Sequence, residues 1–362
     1  MPPVTSKNKL DLLSTTKAEM DIFIQSHGWK PYRAEQILRW IYQRGVTQID
    51  HMSDLSIHDR TYLASIATIN RPTITSVLQS QDGTTKFLIQ LHDGATIETI
   101  LIPERDRRTV CLSTQIGCSL DCKFCLTAKL GLKRNMNAGE IIGQYLSIQS
   151  YLAKTYKKPP RLTNVVMMGM GEPLANIDPV RNAIQNMIHG RCGLGLSPRR
   201  ITVSTAGIPN KFYDILKLDV NLAISLNAST NEQRRALMPA ANRLCSLSEL
   251  LDVCRTLPLP HRRRFTFEYV LLRRVNDSPE DAVRLARSLR GIPCMVNLIP
   301  FNEIPGSSYA KPDETTVRTF QNILIQQNID TYLRKSKGPD VLGACGQLGT
   351  NTRESSCSMP KN

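Results

Sequence analysis

The densest chemistry in this 362-residue chain lies in Gly117-Cys118-Ser119-Leu120-Asp121-Cys122-Lys123-Phe124-Cys125, which spaces three thiols as CxxxCxxC. Thiolates are the usual ligands of iron-sulfur clusters, and three of them leave one iron of a four-iron cluster open to another ligand. The alternatives are a zinc site completed by a distant residue, or three cysteines buried as small hydrophobes; zinc ribbons, however, usually repeat a CxxC pair. Downstream, Gly171-Glu172-Pro173 offers a glycine that permits close backbone approach and a carboxylate that can accept from an ammonium group. Alone that tripeptide reads as a turn. The cysteine loop before it is what makes Glu172 a binding candidate.

Elements able to position these residues follow from hydrophobic period and cap signals. Thr16 with Glu19 reads as a capping box for a helix over 18–27 stopped by Gly28, and Ile37, Leu38, Trp40 and Ile41 give a second helix over 33–44 its apolar face. From about Ser76 the period becomes that of strands, over 86–91, 96–102 and 109–115, with Asp93-Gly94 as a hairpin turn. Beyond the cysteines, candidate strands at 163–168, 201–204, 222–226, 265–271 and 295–299 alternate with helices. The helices carry start signals at Asn137 with Glu140, Ser229 with Glu232, Ser246 with Glu249, and Pro279. Alternating strands and helices imply an α/β fold whose parallel sheet or barrel has its active site at the carboxyl ends of the strands. Cys118, Gly169 to Pro173, Ser204, Asn227 and Asn302 all fall at such ends. Singly, each small polar residue there reads equally as a cap or turn residue.

Composition sets outer bounds. With 41% apolar and 21% charged residues and no apolar run near the roughly 18 to 20 residues of a membrane span, a transmembrane protein is not expected. Met1 to Leu12 has lysines but no signal-like apolar core, so the cytoplasm, where thiols stay reduced, is the expected compartment for the ten cysteines. A net charge of +15, gathered in groups such as Arg107-Arg108, Arg199-Arg200, Arg234-Arg235 and Arg262-Arg263-Arg264, favours a polyanionic partner; any one pair reads equally as a solvated face. No strongly basic amphipathic helix stands out to lie on lipid, so nucleic acid is expected rather than a membrane.

The cysteine motif, with an aromatic residue before its last cysteine, resembles the radical S-adenosylmethionine superfamily. More closely, Val110-Cys111-Leu112-Ser113-Thr114-Gln115, Met168-Gly169-Met170-Gly171-Glu172-Pro173-Leu174, Leu222-Ala223-Ile224-Ser225-Leu226, Asn297-Leu298-Ile299-Pro300-Phe301-Asn302 and Gly343-Ala344-Cys345-Gly346-Gln347-Leu348 resemble the RlmN and Cfr family of adenosine methyltransferases. Pro31-Tyr32-Arg33-Ala34-Glu35-Gln36 is similar to that family's accessory domain, so the likeness spans about residues 15 to 348. The resemblance implies a 4Fe-4S cluster on Cys118, Cys122 and Cys125, and an S-adenosylmethionine site using Gly171, Glu172, Ser204, Ser225, Leu226, Asn227 and Asn302. It implies Cys345 as methyl carrier, Cys111 as base and disulfide partner of Cys345, and Glu98 as a further proton acceptor, although a strand glutamate could equally be exposed. The family usually has histidine where this chain has Asn227, which binds but does not titrate near neutrality. Cys192, Cys245, Cys254, Cys294 and Cys357 carry no motif and read as packing or tail residues.

These readings converge on an incomplete (βα)6-type radical S-adenosylmethionine barrel over 76–349, a helical RNA-binding accessory domain over 1–75 and a disordered tail over 350–362. The expected activity is carbon methylation of adenosine in 23S ribosomal RNA, with tRNA as a second candidate substrate. Carbon 2 is the expected position and Cfr-type carbon 8 the close alternative. A non-catalytic iron-sulfur RNA-binding protein would leave Cys111 and Cys345 without a task. A monomer served by an electron donor such as flavodoxin or ferredoxin completes the expectation.

Overall fold

The computed structural model describes residues 9–260 and 263–349. The expected tail with Cys357, most of the extreme N-terminal segment, and Arg262 lie outside the described residues. The chain starts with β1 (Leu10–Asp11), α1 (Lys17–Ser26), α2 (Tyr32–Tyr42), α3 (Ile57–Ile66) and β2 (Ala67–Thr68), the last paired in parallel with β1. The capping box forms as the sequence predicts: Thr16 Oγ1 accepts from the Glu19 amide at 3.3 Å, and the Glu19 carboxylate accepts from the Thr16 amide at 2.8 Å. On α2, Ile37, Leu38, Trp40 and Ile41 are all buried.

The sheet then begins with β3 (Thr73–Gln79), β4 (Thr85–Gln90), β5 (Thr96–Glu104) and β6 (Arg107–Cys111), followed by the small pair β7 (Gln115–Gly117) and β8 (Leu132–Asn135) with α4 (Leu126–Lys129) between them. Next come α5 (Ala138–Thr155), β9 (Asn164–Met167), α6 (Ile177–Ile188), β10 (Ile201–Thr205), α7 (Phe212–Leu216) and β11 (Asn221–Ser225). The remainder is α8 (Asn231–Leu237), α9 (Pro239–Leu244), α10 (Leu247–Thr256), β12 (Phe265–Leu271), α11 (Pro279–Ser288), β13 (Cys294–Pro300), α12 (Glu314–Gln326) and β14 (Thr331–Leu333). Ten strands make one sheet in the order β14-β13-β12-β11-β10-β9-β6-β5-β4-β3. From β6 to β14 every neighbour is parallel, whereas β5, β4 and β3 extend the sheet as antiparallel hairpins. β14 and β3 are not paired with each other, so the barrel is incomplete.

Parallel strands flanked by helices are buried on both faces, and they read accordingly: Val165 and Met167, Ile201 and Val203, Leu222 to Ile224, and Val296 and Leu298 are all core. The same core runs into the N-terminal helices, which are keyed to the barrel's outer helices by polar contacts. Asn186 Nδ2 donates to Thr15 O at 3.0 Å and Tyr42 Oη at 2.8 Å, and Ser14 Oγ donates to Asn137 Oδ1 at 3.1 Å. No helix among the described residues is long and apolar enough to cross a membrane.

Three local expectations change. The strand expected over 109–115 breaks after Cys111, because the Ser113 amide turns to Gln144 Oε1 at 2.9 Å and the Thr114 amide to Met170 O at 2.9 Å. The helix expected to start at Ser229 instead has Thr230 as its cap, its side chain accepting from Gln233 N, while Ser229 Oγ binds Asp281 at 2.6 Å. β14 has only three residues, too few for a period-2 signal, and completes the parallel row unannounced. The helix-start claim for α1 is testable: Thr16→Ala should lower stability by about 1 kcal/mol, read as a fall in urea midpoint at unchanged slope, and an unmoved midpoint would show that the box adds nothing.

Candidate active site

The strand ends gather the chemistry. Cys111 ends β6, Gly169 to Glu172 follow β9, Ser204 lies near the end of β10, Ser225 ends β11, Asn302 follows β13, and Cys345 lies beyond β14. A cleft of about 960 Å³, counting its open mouth, is lined by Cys118, Cys122, Cys125, Gly171, Glu172, Ser204, Ser225, Asn227, Asn302 and Cys345. Of the residues expected at the site, Cys111, Glu98 and Leu226 are absent from this wall. Leu226 is fully buried in the core, its amide donating to Glu268 O at 3.0 Å.

The cysteine loop is shaped by backbone crowding. Gly117 has φ +78° and passes so close to the facing chain that a Cβ would stand 1.7 Å from Gly131 O; the next amide, Cys118 N, donates to that same oxygen at 3.1 Å. Only glycine permits this approach. The loop's far end is tied across the molecule, Leu126 N donating to Gly346 O at 2.7 Å and Thr127 Oγ1 to Leu348 O at 2.7 Å. The three thiols are unbridged. Burial pushes the Cys118 thiol up to about 11 and the Cys122 thiol well above its ordinary value, and the neighbouring thiols add to both shifts. Thiols gathered in one short loop suit a shared cationic partner, and a three-thiolate set fits a 4Fe-4S cluster with one open iron. Among the described residues no group of His, Cys, Asp and Glu is arranged around a single metal ion.

Glu172 is 2% exposed. Its Oε1 accepts from Leu174 N at 3.0 Å and its Oε2 from Ala206 N at 2.8 Å, so it links the loops after β9 and β10. Burial raises its pKa, while those amides and Arg234 oppose the rise. Gly171, at φ +99°, presses against Gln115, whose Oε1 takes the Glu172 amide at 2.8 Å. Asn227 adopts φ +55°, a left-handed conformation that asparagine tolerates better than most residues. Its Oδ1 accepts from Val270 N at 2.8 Å and its Nδ2 meets Met238 Sδ at 3.3 Å, so the side chain braces the β11 and β12 ends as it lines the cleft. Asn302 Nδ2 donates to Cys345 O at 3.0 Å and its Oδ1 accepts from Ser336. Its side chain therefore holds the Cys345 loop.

Cys345 is solvent-accessible through the cleft yet set deep in the fold; burial pushes its thiol up to about 11, with the charges of Glu268 and Cys125 contributing. Cys111 is buried behind it, its thiol raised by desolvation and then by Cys345. Glu98 is 2% exposed, so the exposed-strand reading is corrected. Its Oε1 pairs with Lys86 Nζ at 3.1 Å and its Oε2 accepts from Gly349 N at 2.8 Å. Sequence reasoning missed Glu268, a buried carboxylate on the cleft wall that accepts from Asn297 Nδ2 at 3.0 Å and whose pKa is raised by burial. Its signal was a lone acid inside the apolar run Phe265 to Leu271.

This fold and cleft define a radical S-adenosylmethionine enzyme, and comparison with known proteins agrees. The Radical SAM superfamily matches residues 112–286, and the ribosomal RNA large subunit methyltransferase N-terminal domain matches residues 10–69. A crystal structure of a radical SAM methyltransferase from Sphaerobacter thermophilus superposes with TM-score 0.87 at 38% identity, covering 94% of this chain and 99% of that one. Dual-specificity RNA methyltransferases RlmN are similar along almost the whole length. The one from Desulfosudis oleivorans is 44% identical, covering 95% of this chain and 92% of its own, and the one from Syntrophus aciditrophicus is 44% identical, covering 96% and 98%. The chain belongs to the RlmN family of radical S-adenosylmethionine RNA methyltransferases, which use a 4Fe-4S cluster and S-adenosylmethionine.

The crowding at Gly117 yields a prediction for this loop. Gly117→Ala should part β7 from β8, lowering stability by roughly 3 kcal/mol and the iron retained per chain after anaerobic reconstitution. Wild-type iron content with an unchanged thermal midpoint would show that the close approach is not needed.

Proposed function

We propose that the protein methylates carbon 2 of an adenosine in 23S ribosomal RNA and in tRNA, through a methyl group carried on Cys345. The observation that carries the reading is the convergence of Cys118, Cys122, Cys125, Glu172 and Cys345 on one cleft, with Cys111 buried behind Cys345. Cys118, Cys122 and Cys125 hold the cluster. Glu172 and the backbone at Gly171, with Ser204, Ser225, Asn227 and Asn302, form the S-adenosylmethionine site, and Leu226 supports it from the core behind. When bound, these groups supply an electron, a methyl group and a 5'-deoxyadenosyl radical.

Each thiol has a chemical reason. Carbon 2 of adenine is electron-poor and does not attack a methyl sulfonium, whereas a thiolate does, so Cys345 accepts the methyl on sulfur first. Removal of a hydrogen from that methyl lets its carbon add to adenine, leaving RNA tethered through Cys345. Cys111, as thiolate, then takes the ring proton and the adduct's unpaired electron would pass to the bound cluster. When the Cys111 sulfur attacks that of Cys345, the S–C bond breaks with its electron pair on the methylene carbon, which takes up a proton to become the methyl while a disulfide remains. Glu98 is the second proton-acceptor candidate. The basic surface docks the RNA, with residues 1–75 as an RNA-binding domain beside the catalytic domain at 76–349. A flavodoxin or ferredoxin supplies electrons to a cytoplasmic monomer.

Two tests separate the parts of this reading. Cys118→Ala, Cys122→Ala or Cys125→Ala should each abolish the brown chromophore of anaerobically purified protein; about four irons per chain in any of them would overturn the cluster assignment. Cys111→Ala, given substrate RNA and reductant, should accumulate a nuclease-sensitive covalent adduct on Cys345 that Cys345→Ala does not form. Full methylation by a folded, cluster-loaded Cys111→Ala protein, or no adduct on it, would sink the two-cysteine mechanism.

A further inference from the structure

Arg234, on α8, is completely buried, and among the described residues no carboxylate oxygen lies within the 4.0 Å of an ion pair. A guanidinium stays charged at any physiological pH, so taking it out of water without a counter-ion is costly. What it touches is neutral. Nη1 donates to Ser225 O at 3.2 Å and Leu226 O at 3.1 Å and meets Met238 Sδ at 3.8 Å, Nη2 donates to Ala206 O, and Nε has no partner.

Its location bears on which anionic group it faces. Ser225, Ala206 and Met238 line the cleft, so the guanidinium stands directly behind the cleft wall. α8 is fastened to the cysteine loop, Leu237 O accepting from Lys123 N at 2.9 Å. Leu237 and Met238 pack with Leu120 and Phe124 in an apolar cluster that also takes in Cys118, Cys122 and Cys125. The groups whose charge favours the ionised guanidinium are Cys122, Cys245 and Glu172. Cys245 is a thiol whose pKa burial raises, and both oxygens of Glu172 are already held by the backbone amides of Leu174 and Ala206. The metal-bearing cysteine loop is the remaining counter-ion.

We propose that Arg234 is the built-in counter-charge of the iron-sulfur cluster and raises its reduction potential. A cluster on three thiolates is a net anion and becomes more so on accepting an electron, so a fixed cation behind Cys122 favours the reduced form. Arg234 is a positioning residue in this account, acting through the cluster and touching no reacting atom. The inference rests on the assignment of Cys118, Cys122 and Cys125 as cluster ligands.

The test is a mediated redox titration of reconstituted holoprotein followed by electron paramagnetic resonance, comparing wild type with Arg234→Met, Arg234→Gln and Arg234→Lys. At the wild-type midpoint potential, the reduced-to-oxidised ratio should fall about tenfold in the two neutral variants, a shift of about 59 mV for a one-electron couple. Arg234→Lys keeps the charge but loses the planar fork, and should stay near wild type. Wild-type potentials in Arg234→Met or Arg234→Gln at full iron content would overturn the proposal and leave the guanidinium as a strut for the strand ends. A Lys variant displaced from the wild-type potential at a pH low enough to keep its buried amine protonated would overturn it too, even if neither neutral variant folds, because the hydrogen-bonding fork would then be what matters. Wild-type protein that binds no four-iron cluster is a different result, sinking the cysteine assignment itself.

Discussion

An open sheet cannot close its own mouth, and the segment from Arg334 to Gly349 does it instead. Leaving β14 at one edge of the sheet, this strap crosses to the antiparallel extension at the other side. Asp340 accepts from Ser80 Oγ at 2.6 Å, Gly338 N donates to Asp82 at 3.1 Å, Lys86 Nζ reaches Leu342 O at 3.4 Å, and Gly349 N ends on Glu98 at 2.8 Å. Gly346 O and Leu348 O meanwhile take bonds from the residues just after Cys125. One crossing thus brings Cys345 beside both Cys125 and Cys111. The β3–β5 hairpins have a purpose in this arrangement, since they provide the far anchorage that the parallel strands alone would lack.

That anchorage explains why an ion pair is buried at Lys86 and Glu98. Lys86 lies opposite Ile100 and Glu98 opposite Leu88, so the two charges are diagonal neighbours on one face of the β4–β5 ladder. Breaking such a pair leaves an uncompensated charge in the interior, which costs roughly 3 to 5 kcal/mol, so the strap's last contact rests on a rigid platform. Glu98 accordingly serves as the strap's acceptor. The two buried carboxylates on the cleft wall are held by dipoles: Glu172 by two backbone amides and Glu268 by the Asn297 amide group. Charges fixed by rigid donors need little reorganisation when a reaction changes the charge beside them.

Much of this protein is written locally. The CxxxCxxC spacing, the capping boxes at Thr16, Asn137 and Ser246, and the apolar strands at 201–204 and 265–271 depend on neighbours a few residues apart, so the linear order suffices to read them. Strand ends in a parallel sheet lie on one side, so the expectation that Cys118, Glu172, Ser204 and Asn302 share a mouth also follows from the chain. Tertiary structure alone decided the rest. Whether Glu98 is exposed or paired depends on Lys86 and Gly349, and Asn302 turns to the Cys345 carbonyl because the strap passes there. Arg234 looked like one of two adjacent surface arginines, and is buried because α8 folds back over the ends of β10 and β11. A local pattern reports which face of an element is apolar. It does not report what lies opposite that face, and the partners of a buried charge come from segments whose meeting depends on the whole sheet.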